Sequence, residues 1–266
     1  MRAKYTDVGT GFNPEVGFLR RPAFRKVDLL LLNRTRPKDF LGLQELRPHV
    51  SYRGYFKPDG FYESGFVHID NHSEFKSQWE VHTGMNLTHE GLRAPFLIAP
   101  RIRVPVGEYD EVEAQIVLIS PQAKPVNINV MTTVGGYYGG HRLAVSPTIR
   151  FRAGDKLSGN LAINYNRVTL PQGEFEANLF KLRASYSFSP RIFVQSLIQY
   201  NQQIGFLSGN FRLGWLQSAN AGLFIVYNEG RDRDAVIGGL RDDSALGLVR
   251  DRSLVIKFSR LIDVFK

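Results

Sequence analysis

Residues 181–202, "KLRASYSFSPRIFVQSLIQYNQ", decide the fold class, because apolar and polar residues alternate on both sides of a Ser-Pro pair. Leu182 and Tyr186 share one parity before this pair, and Lys181 and Arg183 share the other. A repeat of two is the repeat of a β-strand, whose successive side chains point to opposite faces. The segment therefore predicts two antiparallel strands joined by a tight turn, with one apolar face and one polar face.

The same alternation continues over most of the chain. Amides, hydroxyls and arginines occupy the polar positions, and aliphatic and aromatic side chains occupy the others. Several of these segments reach about 10 residues, which is close to the length that a tilted membrane strand needs. The pattern predicts strands over residues 24–33, 40–56, 61–70, 76–87, 112–119, 125–134, 142–152, 157–166, 175–188, 191–202, 206–216, 221–229 and 251–262.

Composition supports an all-β chain and narrows its chemistry. Among 266 residues there are 25 Gly, 19 Phe and 11 Tyr, which favours strands and turns. No cysteine is present, so disulfides and thiolate metal sites are excluded. The formal net charge is +9, but the basic residues are spread along the chain and form no tract, so we do not expect nucleic acid as a partner.

No apolar run approaches the roughly 20 residues of a membrane-spanning helix. The predicted connections, however, alternate between a tight set and a set that is longer or richer in glycine, including "GGYYGGH" at 135–141. Outer-membrane β-barrels show this asymmetry, with short periplasmic turns and longer extracellular loops. We therefore expect one antiparallel transmembrane β-barrel domain of about 13–14 strands over residues 1–266, with residues 1–22 as a lead-in.

Five segments carry a resemblance to a known family: "GFNPEVGFLRR" (11–21), "VPVGEYDEVEAQI" (104–116), "GGYYGGHR" (135–142), "LPQGEFEANLFKLRASYSFSPRIFVQSLIQYN" (170–201) and "LFIVYNEGRDR" (223–233). They resemble the bacterial outer-membrane β-barrel domain of unknown function that often follows a family-9-type carbohydrate-binding module. The resemblance implies a location in the cell outer membrane, in contact with its lipid and lipopolysaccharide. It also implies that the chain is the C-terminal part of a larger barrel. A strand within residues 1–10 is the alternative, since it would make the count even.

The polar faces supply the candidate site residues. In a barrel these faces point into the lumen, where basic side chains would favour anions. The alternative is that such side chains pair with carboxylates such as Glu111 and Glu113 and fill the interior. The lumen-facing candidates are Arg150, Arg152, Lys181, Arg183, Gln195, Gln199 and Arg212. Tyr137 and Tyr138, in the glycine-rich stretch, are candidates for a surface loop that contacts glycans.

Metal and catalytic patterns are weaker. His68, His72, His82 and His89 cluster in one predicted hairpin, but we find no acidic partner with clear ligand spacing, and we assign no metal and no cofactor. The aspartates of residues 229–252 suggest calcium, yet the intervening arginines favour ion pairing. No catalytic constellation stands out, so we do not expect an enzyme.

The sequence thus predicts a pore or surface-binding scaffold for saccharide-like or anionic solutes. The alternatives are a soluble all-β carbohydrate-binding protein, whose apolar faces would pack sheet on sheet, and an outer-membrane enzyme.

Overall fold

The computed structural model describes residues 1–19, 21–218, 221–233, 236–237, 240–241 and 247–260. These residues form strands and connections without a helix, so none of them belongs to a helix able to cross a membrane. The strands are β1 (Arg2–Val8), β2 (Phe24–Leu32), β3 (Leu43–Phe56), β4 (Tyr62–Phe75), β5 (Glu80–Leu92), β6 (Phe96–Ala99), β7 (Ile102–Val104), β8 (Gly107–Ile119), β9 (Val126–Tyr137), β10 (Gly140–Ala153), β11 (Leu157–Leu170), β12 (Gly173–Glu176), β13 (Leu179–Ser189), β14 (Ile192–Asn201), β15 (Phe206–Ser218), β16 (Ala221–Asp232), β17 (Val236–Ile237), β18 (Leu240–Arg241) and β19 (Leu248–Arg260).

Most strands join one antiparallel sheet in chain order. The order is β1-β2-β3-β4-β5-β8-β9-β10-β11-β13-β14-β15-β16-β19, with β12 paired to β11 beside this path. The all-β prediction is confirmed, and every predicted strand has a counterpart. The strand considered for residues 1–10 is β1, which makes fourteen along the path. β1 and β19 stand at the two ends of the order, and among the described residues the sheet is not closed.

The connection between β9 and β10 differs from the sequence prediction. The glycine-rich stretch 135–141 was expected to be the loop of a hairpin. The hairpin is present, but β9 continues to Tyr137 and β10 begins at Gly140, which leaves a two-residue turn. Tyr138 and Gly139 both have positive φ, 48° and 77°. This is the geometry of a type I′ turn, whose twist matches that of the flanking strands.

The chain divides into two compact units. Unit 1 comprises Met1–Pro121, Val130–Val145 and Asn166–Phe175, and unit 2 comprises Gln122–Asn129, Ser146–Tyr165 and Glu176–Lys266. Unit 1 holds the buried hydrophobic cluster, in which the β6–β7 hairpin packs against the end of β11. The members of this cluster are Ala99, Ile102, Val104, Val168 and Leu170.

In unit 2 the register separates an apolar face from a polar one. Residues directly opposite each other in an antiparallel pair project on the same side of the sheet. One row across β14, β15, β16 and β19 is Val194, Leu213, Ile225 and Ile256, and the next is Ile192, Trp215, Leu223 and Phe258. Several of these side chains are exposed, with Ile256 at 64% and Phe258 at 66%. The described residues place no second layer of unit 2 over this face.

Unit 1 shows the same separation. An apolar row across β2 to β5 contains Leu31, Val50, Ile69 and Met85, each more than 40% exposed. The opposite side carries histidines, carboxylates and amides. Each unit therefore has an exposed apolar face and a polar face, and the polar face of unit 1 contains the buried carboxylates Asp70 and Glu113.

Candidate functional site

Five sequence-derived candidates share the polar face of unit 2. Lys181 lies opposite Gln199, Gln195 lies opposite Arg212, and Arg183 lies opposite Leu197. Because Lys181, Arg183 and Gln195 fall on the same side of this ladder, the three strands β13, β14 and β15 present all five candidates on one surface, with Leu197 among them. The structure thus brings together residues that the sequence placed on a common face.

Arg150 and Arg152 occupy the same side of β10 as each other. A Cβ placed on Gly159, which is on the apolar face of β11, would lie 2.6 Å from a ring carbon of Phe151. Phe151 therefore covers the apolar face, and its two arginine neighbours project to the polar side. Arg150 donates to the Gln122 side chain at 3.2 Å, and Arg152 donates to the Ala123 backbone carbonyl, both in the turn between β8 and β9.

No carboxylate pairs with these basic candidates within the described part of the chain. Arg212 instead lies over the Phe224 ring, 4.5 Å from its centroid. The two glutamates considered as lumen partners are engaged in unit 1: Glu111 accepts from the Gly139 amide at 2.6 Å, and Glu113 binds Arg142. The positive charge of this face is therefore not neutralised by the partners that the sequence suggested.

A histidine and carboxylate cluster occupies the polar face of unit 1. Cross-strand register places His49 opposite Asp70 between β3 and β4, and His72 opposite His82 between β4 and β5. His68 lies on β4 two residues before Asp70 and points to the same side. Three adjacent strands thus bring four imidazoles around one carboxylate.

Asp70 is the centre of this cluster. Its side chain is 1% exposed, and Nε2 of His68 and of His72 lie 3.3 and 3.2 Å from its Oδ2. Neither contact is aligned as a hydrogen bond, and both carboxylate oxygens of Asp70 lack a hydrogen-bond partner. A buried carboxylate without a donor is costly, so a cation beside it would be stabilising.

Further charges surround the cluster. Arg47 binds Glu80 at 2.9 Å and lies 3.8 Å from both Glu45 and Glu74, and Glu45 also binds Arg36 at 2.9 Å. Together with Asp70 these are four carboxylates against two guanidiniums, so the region carries an excess of about two negative charges when its histidines are neutral.

Two members of this cluster, Asp70 and His49, were not predicted from the sequence. Asp70 could have been recognised from its spacing. No acidic residue was assigned ligand spacing, yet His68, Asp70 and His72 form a His-x-Asp-x-His pattern that a strand places on one side. His49 comes from a different strand and is brought in only by register. His89, which was grouped with the others, falls on the opposite face, where it stacks on Tyr62 and binds Asp110.

Tyr137 and Tyr138 lie against the hydrophobic cluster of unit 1. Both are half-buried, and the Tyr138 ring packs edge-on to Phe96, Tyr109 and Tyr137. Burial, followed by the charge of Glu90, raises the pKa of Tyr138 to about 12. The two tyrosines line a cavity of about 290 Å³ whose other walls are Phe66, Thr88, Glu90, Tyr109, Glu111, Glu113 and Arg142.

This cavity combines aromatic rings with charged hydrogen-bonding groups. The Glu113 side chain is 4% exposed and pairs with Arg142, whose guanidinium lies over the Tyr137 ring at 4.5 Å. Aromatic faces and carboxylates are suited to molecules with apolar faces and many hydroxyls, of which saccharides are the common case.

The acidic loop considered for calcium is only partly described. Asp232 lies 3.7 Å from Arg250, and Glu229 binds Arg252 at 3.0 Å, so these two carboxylates have arginine partners. Asp234, Asp242 and Asp243 lie outside the described residues.

No family model matches this sequence, and a comparison with the curated proteins finds no match.

Proposed function

We propose that this chain forms the wall of an outer-membrane β-barrel, with its apolar faces toward lipid acyl chains and its polar faces toward an aqueous lumen. In this role it acts as a pore or surface-binding scaffold for saccharide-like or anionic solutes. The localisation, the lipid and lipopolysaccharide partners and the solute class all belong to this proposal.

The exposed apolar face of unit 2 is the observation that carries it. Its rows run across consecutive strands without a polar interruption between Val194 and Ile256 or between Ile192 and Phe258. Soluble monomers rarely expose contiguous apolar patches larger than a few hundred Å². A face of this kind on long antiparallel strands, with charged residues on the other side, matches the apolar-out and polar-in pattern of membrane barrels.

Closure is a requirement of the proposal. An unpaired sheet edge in hydrocarbon leaves backbone groups without hydrogen-bond partners, at several kcal/mol each. The edges of β1 and β19 would therefore pair with each other, or with strands from outside this sequence, when the protein is in the membrane.

The choice of solute follows from the polar faces. Lys181, Arg183 and Arg212, which pair with no carboxylate among the described residues, favour anions, and the tyrosine-lined cavity of unit 1 suits a saccharide-like ligand. The soluble carbohydrate-binding alternative would need a second layer over the apolar faces.

Heat-modifiability of the detergent-refolded full chain tests the membrane proposal. A closed barrel resists SDS at room temperature and migrates differently before and after boiling, whereas identical mobility counts against closure. Planar-bilayer recordings then separate a pore from a scaffold. In the variant with both Lys181→Gln and Arg183→Gln, anion preference should fall, while Lys124→Gln in an exposed turn should leave it unchanged; absence of any channel would reject the pore.

A further inference from the structure

We propose that the polar face of unit 1 contains a divalent transition-metal site formed by His49, Asp70 and His72. One ligand atom from each of these residues lies within 4.8 Å of those of the other two. The site needs only the neighbouring strands β3 and β4, so it does not depend on barrel closure or on the proposed membrane function.

The geometry is close to that of a bound ion. In a tetrahedral zinc site with bonds of about 2.0–2.1 Å, neighbouring ligand atoms are separated by about 3.3 Å. Nε2 of His72 already lies 3.2 Å from Oδ2 of Asp70. His49 lies next to His72, with ring centroids 4.9 Å apart, so small side-chain rotations bring the third donor to the same distance.

The backbone of β3 selects the ligating nitrogen of His49. Its Nδ1 lies 3.1 Å from the Arg47 carbonyl oxygen, which can only accept a hydrogen bond. Nδ1 therefore carries the proton, and Nε2 keeps its lone pair. Metal-bound histidines are commonly oriented by such a bond from the ring nitrogen that does not bind the metal.

His68 places a further nitrogen donor beside Asp70. Its Nδ1 lies 2.7 Å from Oδ1 of Asn86, an acceptor, so Nδ1 carries the proton. Nε2 of His68, the nitrogen that does not face Asn86, lies 3.3 Å from Oδ2 of Asp70. A further imidazole nitrogen thus stands beside the carboxylate without hydrogen-bonding to it.

Space and charge favour the ion. Gly84 lies opposite Asp70, and a Cβ at this position would come within 3.0 Å of the carboxylate carbon, so any other residue there would crowd the carboxylate. The surrounding carboxylates exceed the guanidiniums by two, which attracts a cation. Imidazole and carboxylate ligands suit Zn²⁺ and its first-row neighbours more than Ca²⁺ or Mg²⁺.

Zinc titration of the refolded full chain tests the site. Isothermal titration with ZnCl₂ should give one bound Zn²⁺ per chain, and each of His49→Gln, Asp70→Asn and His72→Gln should weaken binding at least about 10-fold. His89→Gln is the matched control, because His89 lies on the other face, and it should bind as the unchanged chain does. Absence of zinc binding, or equal loss in His89→Gln and His72→Gln, would overturn the proposal.

Cobalt spectroscopy of the unchanged chain tests the site even if one of the variants folds poorly. Co²⁺ bound to the unchanged chain should give visible absorption bands of a low-coordinate nitrogen and oxygen site, and equimolar Zn²⁺ should remove them. Gly84→Ala keeps all three ligands but crowds Asp70, so we expect it to weaken the bands. A cobalt spectrum identical to that of the free hexaaqua ion would reject the site whatever the fate of the variants.

Discussion

Leu182 lies directly opposite Ile198 across β13 and β14, and both side chains project from the apolar face of the sheet. Their chain neighbours Lys181 and Gln199 lie opposite each other on the other face. One ladder thus separates two environments, and each can be tested by a charge placed on one side.

Leu182→Arg places a charge on the proposed lipid face. In a lipid-inserted barrel we expect it to lower the free energy of unfolding by about 2–4 kcal/mol if Leu182 lies near the bilayer midplane. Asn164→Arg, on the polar face of β11, should change it by less than about 1 kcal/mol. Guanidinium-induced unfolding in lipid vesicles measures the free energy of unfolding of both variants. Equal effects of the two variants would argue against the assignment of the faces.

The Glu113–Arg142 pair stabilises the polar face of unit 1. Arg142→Met leaves a carboxylate that is 4% exposed without its partner, so we expect a loss of about 3 kcal/mol, the low end for a broken buried pair. Adding Glu113→Gln to Arg142→Met should recover part of this loss, because the isolated buried charge is then gone. A double-mutant cycle from denaturant unfolding gives the coupling, and strictly additive effects would contradict the pairing.

Gly140 tests the tight hairpin between β9 and β10. A Cβ at Gly140 would lie 2.1 Å from the Thr169 carbonyl oxygen, which is backbone and cannot rotate away. Gly140→Ala should therefore destabilise unit 1 by about 1–3 kcal/mol through overpacking. Gly9→Ala is the control, because no atom lies within 4 Å of the added methyl. Thermal unfolding of the two variants should differ, and equal midpoints would reject this packing.

Tyr138 gives a prediction at high pH. It lies in the turn between β9 and β10, and its pKa is raised to about 12 by burial and by the charge of Glu90. Since the folded-state pKa exceeds the usual 10, the stability from keeping this phenol protonated is complete below pH 10 and is lost as pH rises toward 12. Ultraviolet titration should show a late tyrosinate step that disappears in Tyr138→Phe. If the late step persists in Tyr138→Phe, it comes from another tyrosine and the prediction for Tyr138 is wrong.

Much of the fold could be predicted because alternation is a local property. Whether Lys181 and Leu182 point to opposite sides depends only on the strand repeat, and β13 and β14 have the predicted faces. The hairpin expected at 135–141 is present, but its connection is shorter than predicted, because glycine content resembles a loop, whereas the Tyr138–Gly139 pair supplies the two positive-φ residues of a tight turn.

The candidate site was only half predictable. His68, Asp70 and His72 share a strand face by spacing alone, and the basic residues of β13 do likewise. His49 is 21 positions before Asp70 in the chain and reaches it through the register of β3 against β4. A slip of one residue in that register would move His49 to the other face, and it would no longer lie beside Asp70.

The sequence by itself determined which side chains share a strand face, since that follows from the geometry of each extended segment. The tertiary structure decided which strands stand next to each other and at which residue they align. Contacts such as His49 with Asp70, or Glu113 with Arg142, depend on this alignment, because cross-strand neighbours are set by hydrogen-bond register between segments distant in the chain.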